Sequence, residues 1–162
     1  MSKNISENTS ILTSSLLTPE RILFLKGKRT RNEVFDALIQ VLCKDEEEAF
    51  TDDVKWGIYH REELMNTAMG NGIAIPHALL PDLDKCRLAI GLCPDSICDC
   101  QTPDGIPVRM VVMLLSPEDK GSLHLQVIAA IGSLFYDGRL KTAFLAAGTP
   151  ESCMEILARA EG

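Results

Sequence analysis

The chain has 162 residues, 46% of them hydrophobic, enough to bury one core of ordinary size without metal or disulfide staples. A formal net charge of −7, with Lys26-Gly27-Lys28-Arg29-Thr30-Arg31 as the densest basic cluster, argues against nucleic-acid binding and favours encounter with basic protein surfaces. The longest apolar runs, Met110 to Leu115 and Val127 to Ile131, are too short to cross a bilayer, and Met1 to Ser10 lacks an export pattern, so a cytosolic protein without membrane insertion is expected.

In chain order, residues 1–10 are polar and are expected to be a flexible N-terminal segment, with one folded domain over residues 11–162. Thr18-Pro19-Glu20 offers an N-cap followed by proline at the first helical position, the start of a short helix. Thr30-Arg31-Asn32-Glu33 has capping-box spacing, and Val34, Leu38, Val41 and Leu42 then share one helical face. Thr51-Asp52-Asp53 opens a further helical stretch with Val54 and Ile58 four apart, and Arg61 to Ala68 reads as one or two helical turns approaching Gly70.

Gly70-Asn71-Gly72-Ile73-Ala74-Ile75-Pro76-His77 is the most informative segment. The glycines permit backbone angles or close approaches that a side chain forbids, and Ile73 to Ile75 reads as a short buried strand. Pro76 removes an N–H from any ladder, so the strand is expected to stop at His77. A histidine at the end of a buried strand lies where clefts of α/β sheets open, rigidly held and reachable by a ligand.

Leu88 to Leu92 and Val108 to Leu115 are compact apolar runs separated by a loop rich in Asp, Pro and Cys. Their nearly continuous hydrophobicity fits strands covered on both faces, as in an α/β layer fold. Ser116-Pro117-Glu118-Asp119 ends the second strand. Leu123 to Phe135 then follows helical spacing, with His124 in its first turn, and two more helices are expected over 137–147 and 150–160, divided by Gly148-Thr149-Pro150.

Two nucleotide-binding readings fail on spacing. Gly70-x-Gly72 has Ile75 where a dinucleotide fingerprint needs its third glycine, and Gly27-Lys28-Arg29 has Ile22 and Arg29 where a P-loop needs glycine and Ser or Thr. Cysteines 43, 86, 93, 98, 100 and 153 are scattered and read as reduced thiols. Cys93, Cys98 and Cys100, with Cys86 as a fourth ligand, leave a zinc site as a rival reading from another class.

The stretch from Arg61-Glu62-Glu63 through Thr67 to Gly70–His77, with His124-Leu125 further along, resembles the phosphorylation-site signature of the IIA type-2 domains of the bacterial phosphoenolpyruvate-dependent phosphotransferase system. That family includes fructose- and mannitol-type components and nitrogen-regulatory IIA proteins, and the likeness runs from about Leu16 to Leu157. It implies a single three-layer α/β domain, a mixed sheet with helices on both faces. It also implies a phosphoryl carrier that needs no cofactor, with His77 as nucleophile and His124 as the second active-site histidine.

By the same resemblance Arg61 would be a fixed cation for the phosphoryl oxygens, and Thr67 would offer them a hydroxyl. The structural alternatives are a surface ion pair for Arg61 and helix termination for Thr67, while His60 matches nothing in the signature and reads as a solvated helix residue. The implied donor is a phosphohistidine carrier of the HPr kind. The acceptor is a separate IIB component or, for a regulatory switch, protein targets gated by phosphorylation. Ala78 departs from the family, where glycine often follows the histidine.

Overall fold

The computed structural model describes residues 12–162, and the expected flexible segment 1–10 lies outside the described residues. The Thr18-Pro19 start makes only a 3-10 turn, Pro19–Arg21, before the chain turns into β1 (Ile22–Phe24), a strand the sequence reading misses. Three residues are too short for any periodicity to show.

Helix α1 (Arg31–Leu42) starts on the expected capping box. The Thr30 hydroxyl accepts from the Glu33 N–H at 3.2 Å, and the Glu33 carboxylate accepts from the Thr30 N–H at 3.3 Å. Helix α2 (Glu48–Leu64) begins earlier than the Thr51 signal and includes Arg61, but it stops at Leu64 rather than running on to Ala68. The Asn66 side chain accepts from the Ala68 N–H at 2.7 Å, an Asx-type turn that competes with helix and releases the chain into β2 (Ala68–Gly70).

Asn71 and Gly72, with φ of 53° and 72°, form the two-residue turn that pairs Gly70 with Ile73 and starts β3 (Ile73–Ala74). Left-handed angles at both central residues are what a tight hairpin requires. Glycine is also needed at 72 for space, since a Cβ there would lie 2.7 Å from the Pro107 carbonyl oxygen.

The expected strand end at His77 is not what the chain does. His77 opens β4 (His77–Leu80), and both β3 and β4 run parallel to β6 (Met110–Pro117), with Ile73 opposite Met110 and His77 opposite Leu114. Pro76 cannot donate, but its carbonyl accepts from the Leu114 N–H at 3.0 Å, so the break does not detach the chain from its neighbour.

Strand β5 (Arg87–Leu92) pairs antiparallel with β6 and parallel with β1. The mixed sheet has the order β1-β5-β6-β3-β2, with β4 beside β6 beyond the proline break. Helices α3 (Gly121–Phe135), α4 (Arg139–Ala147) and α5 (Pro150–Glu161) complete the chain close to the expected bounds.

Alternation along the strands builds two cores. Val111, Met113 and Leu115 of β6 pack with Val34, Phe35, Leu38, Val54 and Ile58 of α1 and α2. Met110, Val112 and Leu114 pack on the other face with Val127, Ile131, Phe135, Phe144 and Leu157 of α3, α4 and α5. The chain is thus one α/β domain of three layers, and the same alternation positions the site. Ala78 and Leu80 of β4 belong to the α1–α2 core, so His77, one residue before Ala78, points to the side of the sheet that carries α3.

Candidate functional site

His77 and His124 meet with ring centroids 5.3 Å apart and planes inclined by 57°. They line a cavity of about 270 Å³ together with Trp56, Gly57, His60, Arg61, Leu64, Ala78 and Leu79. Helix α2 forms one wall, and Gly57 lets it approach the sheet: a Cβ there would stand 3.1 Å from the Ala78 Cβ. One helical turn beyond that contact, Arg61 reaches the cavity, its Nη1 donating to the Met65 carbonyl at 2.8 Å.

The His77 ring is locked. Its Nδ1–H donates to the Ile75 carbonyl at 2.7 Å, and a carbonyl can only accept, so Nε2 keeps its lone pair. Burial pushes the His77 pKa down, outweighing the carbonyl bond that favours the protonated ring, and the Arg61 charge adds to the depression. His124 is buried, with its Nδ1 paired to the Ser116 Oγ at 2.6 Å. Burial first, then the neighbouring His77 and Arg61, lower its pKa to about 4. Both rings are therefore neutral near pH 7, and Arg61 supplies the fixed positive charge.

Thr67 does not line the cavity. Its N–H and hydroxyl both donate to the buried Glu62 carboxylate, at 3.2 and 2.8 Å, and its carbonyl accepts from the Ile75 N–H at 3.1 Å. A continuous set of bonds thus runs from Glu62 through Thr67 and Ile75 to the His77 ring. Glu62 has no role in the sequence expectation, although an acid within an apolar helix face is the available signal. His60, expected as a solvated helix residue, also borders the cavity, stacked on Trp56 with centroids 4.4 Å apart and planes within 13°.

Large apolar side chains that line the cavity stand exposed: Trp56 at 68%, Leu64 at 70% and Leu79 at 43%. A larger depression of about 660 Å³ lies elsewhere, between the end of α1 and the start of β5. Charged groups of both signs line it, including Glu20, Arg21, Glu46 and Arg87, without a histidine.

The zinc reading is overturned by placement. Cys93 and Cys100 are buried in the core under α1 and α2, Cys86 belongs to the opposite core, and Cys98 is exposed. Among the described residues no three His, Cys, Asp or Glu side chains gather in a metal-binding group. Burial raises the Cys93 and Cys153 thiols to about 11, so they pack as neutral apolar groups.

One mixed sheet between two helical layers thus presents two facing histidines beside an arginine. The chain belongs to the family described as phosphoenolpyruvate-dependent sugar phosphotransferase system, EIIA 2, whose sequence model matches residues 15–160. It is 37% identical over 103 residues to a nitrogen regulatory protein of Bradyrhizobium diazoefficiens, covering 62% of this chain and 65% of that protein. It is 26% identical over 144 residues to the fructose-specific EIIABC component of Bacillus subtilis, covering 89% of this chain but only 22% of that longer protein. The crystal structure of nitrogen regulatory protein IIA-Ntr from Neisseria meningitidis shares the fold, with a TM-score of 0.78 at 23% identity over 91% of this chain and 99% of that one. No helix among the described residues is long and apolar enough to cross a membrane.

Proposed function

We propose that the chain is a cytosolic phosphoryl relay in which His77 Nε2 takes a phosphoryl group from the phosphohistidine of an HPr-like carrier protein. The bond from the His77 Nδ1–H to the Ile75 carbonyl carries this reading, because it leaves the cavity-facing nitrogen unprotonated and nucleophilic. As Nε2 gives its electron pair to phosphorus, the donor's N–P bond breaks and its pair returns to the donor imidazole. Positive charge developing on the His77 ring is held by the Ile75 carbonyl.

Arg61 meets the charge on the phosphoryl oxygens, and His124 gives them a neutral N–H. Phosphoryl transfer asks little else of a protein than positioning and charge stabilisation. Thr67 acts through Glu62 and Ile75 and holds the His77 loop without touching phosphate.

The exposed apolar residues at the cavity mouth support a protein partner, since a free small phosphate donor would gain nothing from them. Onward transfer goes to a IIB component. The similarity to a nitrogen regulatory protein favours a second use of the same histidine, in which its phosphorylation state gates binding to regulatory targets.

Incubation with phosphoenolpyruvate, the first enzyme of the system and HPr should add one acid-labile phosphoryl group, seen by mass. Wild-type protein that stays unmodified would remove the reading, and label persisting in His77→Ala would remove the site. Loss of the label on adding IIB domains separates the relay from the terminal switch.

A further inference from the structure

Ser116 is wholly buried at the penultimate position of β6, facing the α3 side like Met110, Val112 and Leu114 before it. A hydroxyl in an otherwise apolar stripe is costly unless both its hydrogen and its lone pairs find partners. Two groups reach it: the His124 Nδ1 at 2.6 Å, and the Cys86 thiol, which donates to the Ser116 Oγ across 3.6 Å. A thiol sulfur is a weak acceptor at that distance, so the Ser116 hydrogen has one good acceptor, the Nδ1 lone pair of His124.

We infer that Ser116 is a positioning residue that fixes His124 as its Nε2–H tautomer. This assignment rests on the phosphoryl-relay reading for its purpose, though not for its geometry. The Ser116 O–H donates to Nδ1, so the ring proton must sit on Nε2, the nitrogen left for the cavity beside His77. The opposite arrangement would strand the Ser116 hydrogen against a thiol sulfur and turn a bare Nε2 lone pair towards phosphoryl oxygens. No proton is gained or lost by the pair. A low pKa for His124 agrees, because a neutral ring is the state that needs its tautomer chosen.

The two histidines are thereby set in opposite senses. Ile75 keeps the His77 proton on Nδ1 and bares its Nε2 for attack, whereas Ser116 keeps the His124 proton on Nε2 for donation.

Long-range proton–nitrogen NMR on the histidine-labelled, unphosphorylated chain tests this directly. The expected spectrum shows a bare Nδ1 and protonated Nε2 for His124, and the reverse for His77. In Ser116→Ala, His124 should lose its single tautomer and phosphoryl transfer to His77 should slow about tenfold, the scale of one hydrogen bond. Ser116→Thr, which keeps the hydroxyl, should preserve the tautomer and most of the rate.

A wild-type His124 protonated on Nδ1 overturns the assignment without any variant. An unchanged tautomer and rate in Ser116→Ala would do the same. Wild-type protein with the expected tautomers but no phosphoryl transfer would leave the Ser116 assignment standing and remove the relay reading instead.

Discussion

Gly57 of α2 faces the methyl group of Ala78 on β4, so closely that a Cβ on Gly57 would stand 3.1 Å from it. The contact sets the height of the helix that carries Arg61 above the strand that carries His77. Ala78 is accommodated because Gly57, opposite it, carries no side chain.

Gly57→Ala should therefore destabilise the protein. A helix interior gains about 1 kcal/mol from alanine, but overpacking costs about 1–3 kcal/mol, and the Ala78 methyl is carried by a strand paired to β6. Urea unfolding should show a net loss, and phosphoryl transfer should fall further than stability as Arg61 is lifted. Adding Ala78→Gly should restore both, since it removes the atom that the added methyl would strike.

Thr67→Val keeps shape but deletes the hydroxyl that serves the buried Glu62 carboxylate. An acceptor left unsatisfied in the interior costs about 1–3 kcal/mol, measurable in the urea midpoint. Because Thr67 holds the Ile75 N–H and Ile75 holds the His77 ring, the rate of phosphorylation should fall as well. Saturation with donor should not recover it, as the defect lies in the nucleophile's position.

Trp56→Ala and Leu64→Ala remove exposed apolar surface at the cavity mouth without touching the two histidines. If this rim receives the carrier protein, each should raise KM for the phosphorylated carrier about tenfold, the scale of an interface anchor, with kcat little changed. Equal loss of kcat would assign these residues to the chemistry instead.

Stability should fall on acidification. The unfolded chain binds a proton at His124 near pH 6.5, whereas the folded chain resists until about pH 4, so between those values the unfolded state carries more protons and is favoured as pH drops. His77, also depressed, acts in the same direction. From pH 7 to pH 4 the His124 contribution should cost on the order of 2–3 kcal/mol. His124→Gln should show a shallower loss over that range in urea titrations.

Much of this was legible in the sequence, for identifiable reasons. The Thr30 capping box, the long apolar runs of β5 and β6 and the periodic face of α3 are local patterns, and each appears as an element close to its expected place. Strand β1 and the continuation of pairing past Pro76 were not legible, because both depend on a neighbour far along the chain. The Asn71-Gly72 hairpin was legible but overlooked: that dipeptide is a strong turn signal, and it excludes the helical reading of the residues leading into it.

At the site, spacing singled out Arg61, His77 and His124, and the fold brings all three to one cavity. It could not reveal that Thr67 turns away to Glu62, nor that Ser116 lies behind His124, since each contact follows from which way a strand or helix faces.

The most direct test of the relay is the identity of the phosphorylated atom. Histidine-labelled protein, phosphorylated through phosphoenolpyruvate, the first enzyme and HPr, should show by phosphorus–nitrogen NMR one phosphoryl group on His77 Nε2, with Nδ1 still protonated. A phosphoryl group on His77 Nδ1, on His124 or on any other residue would contradict the account.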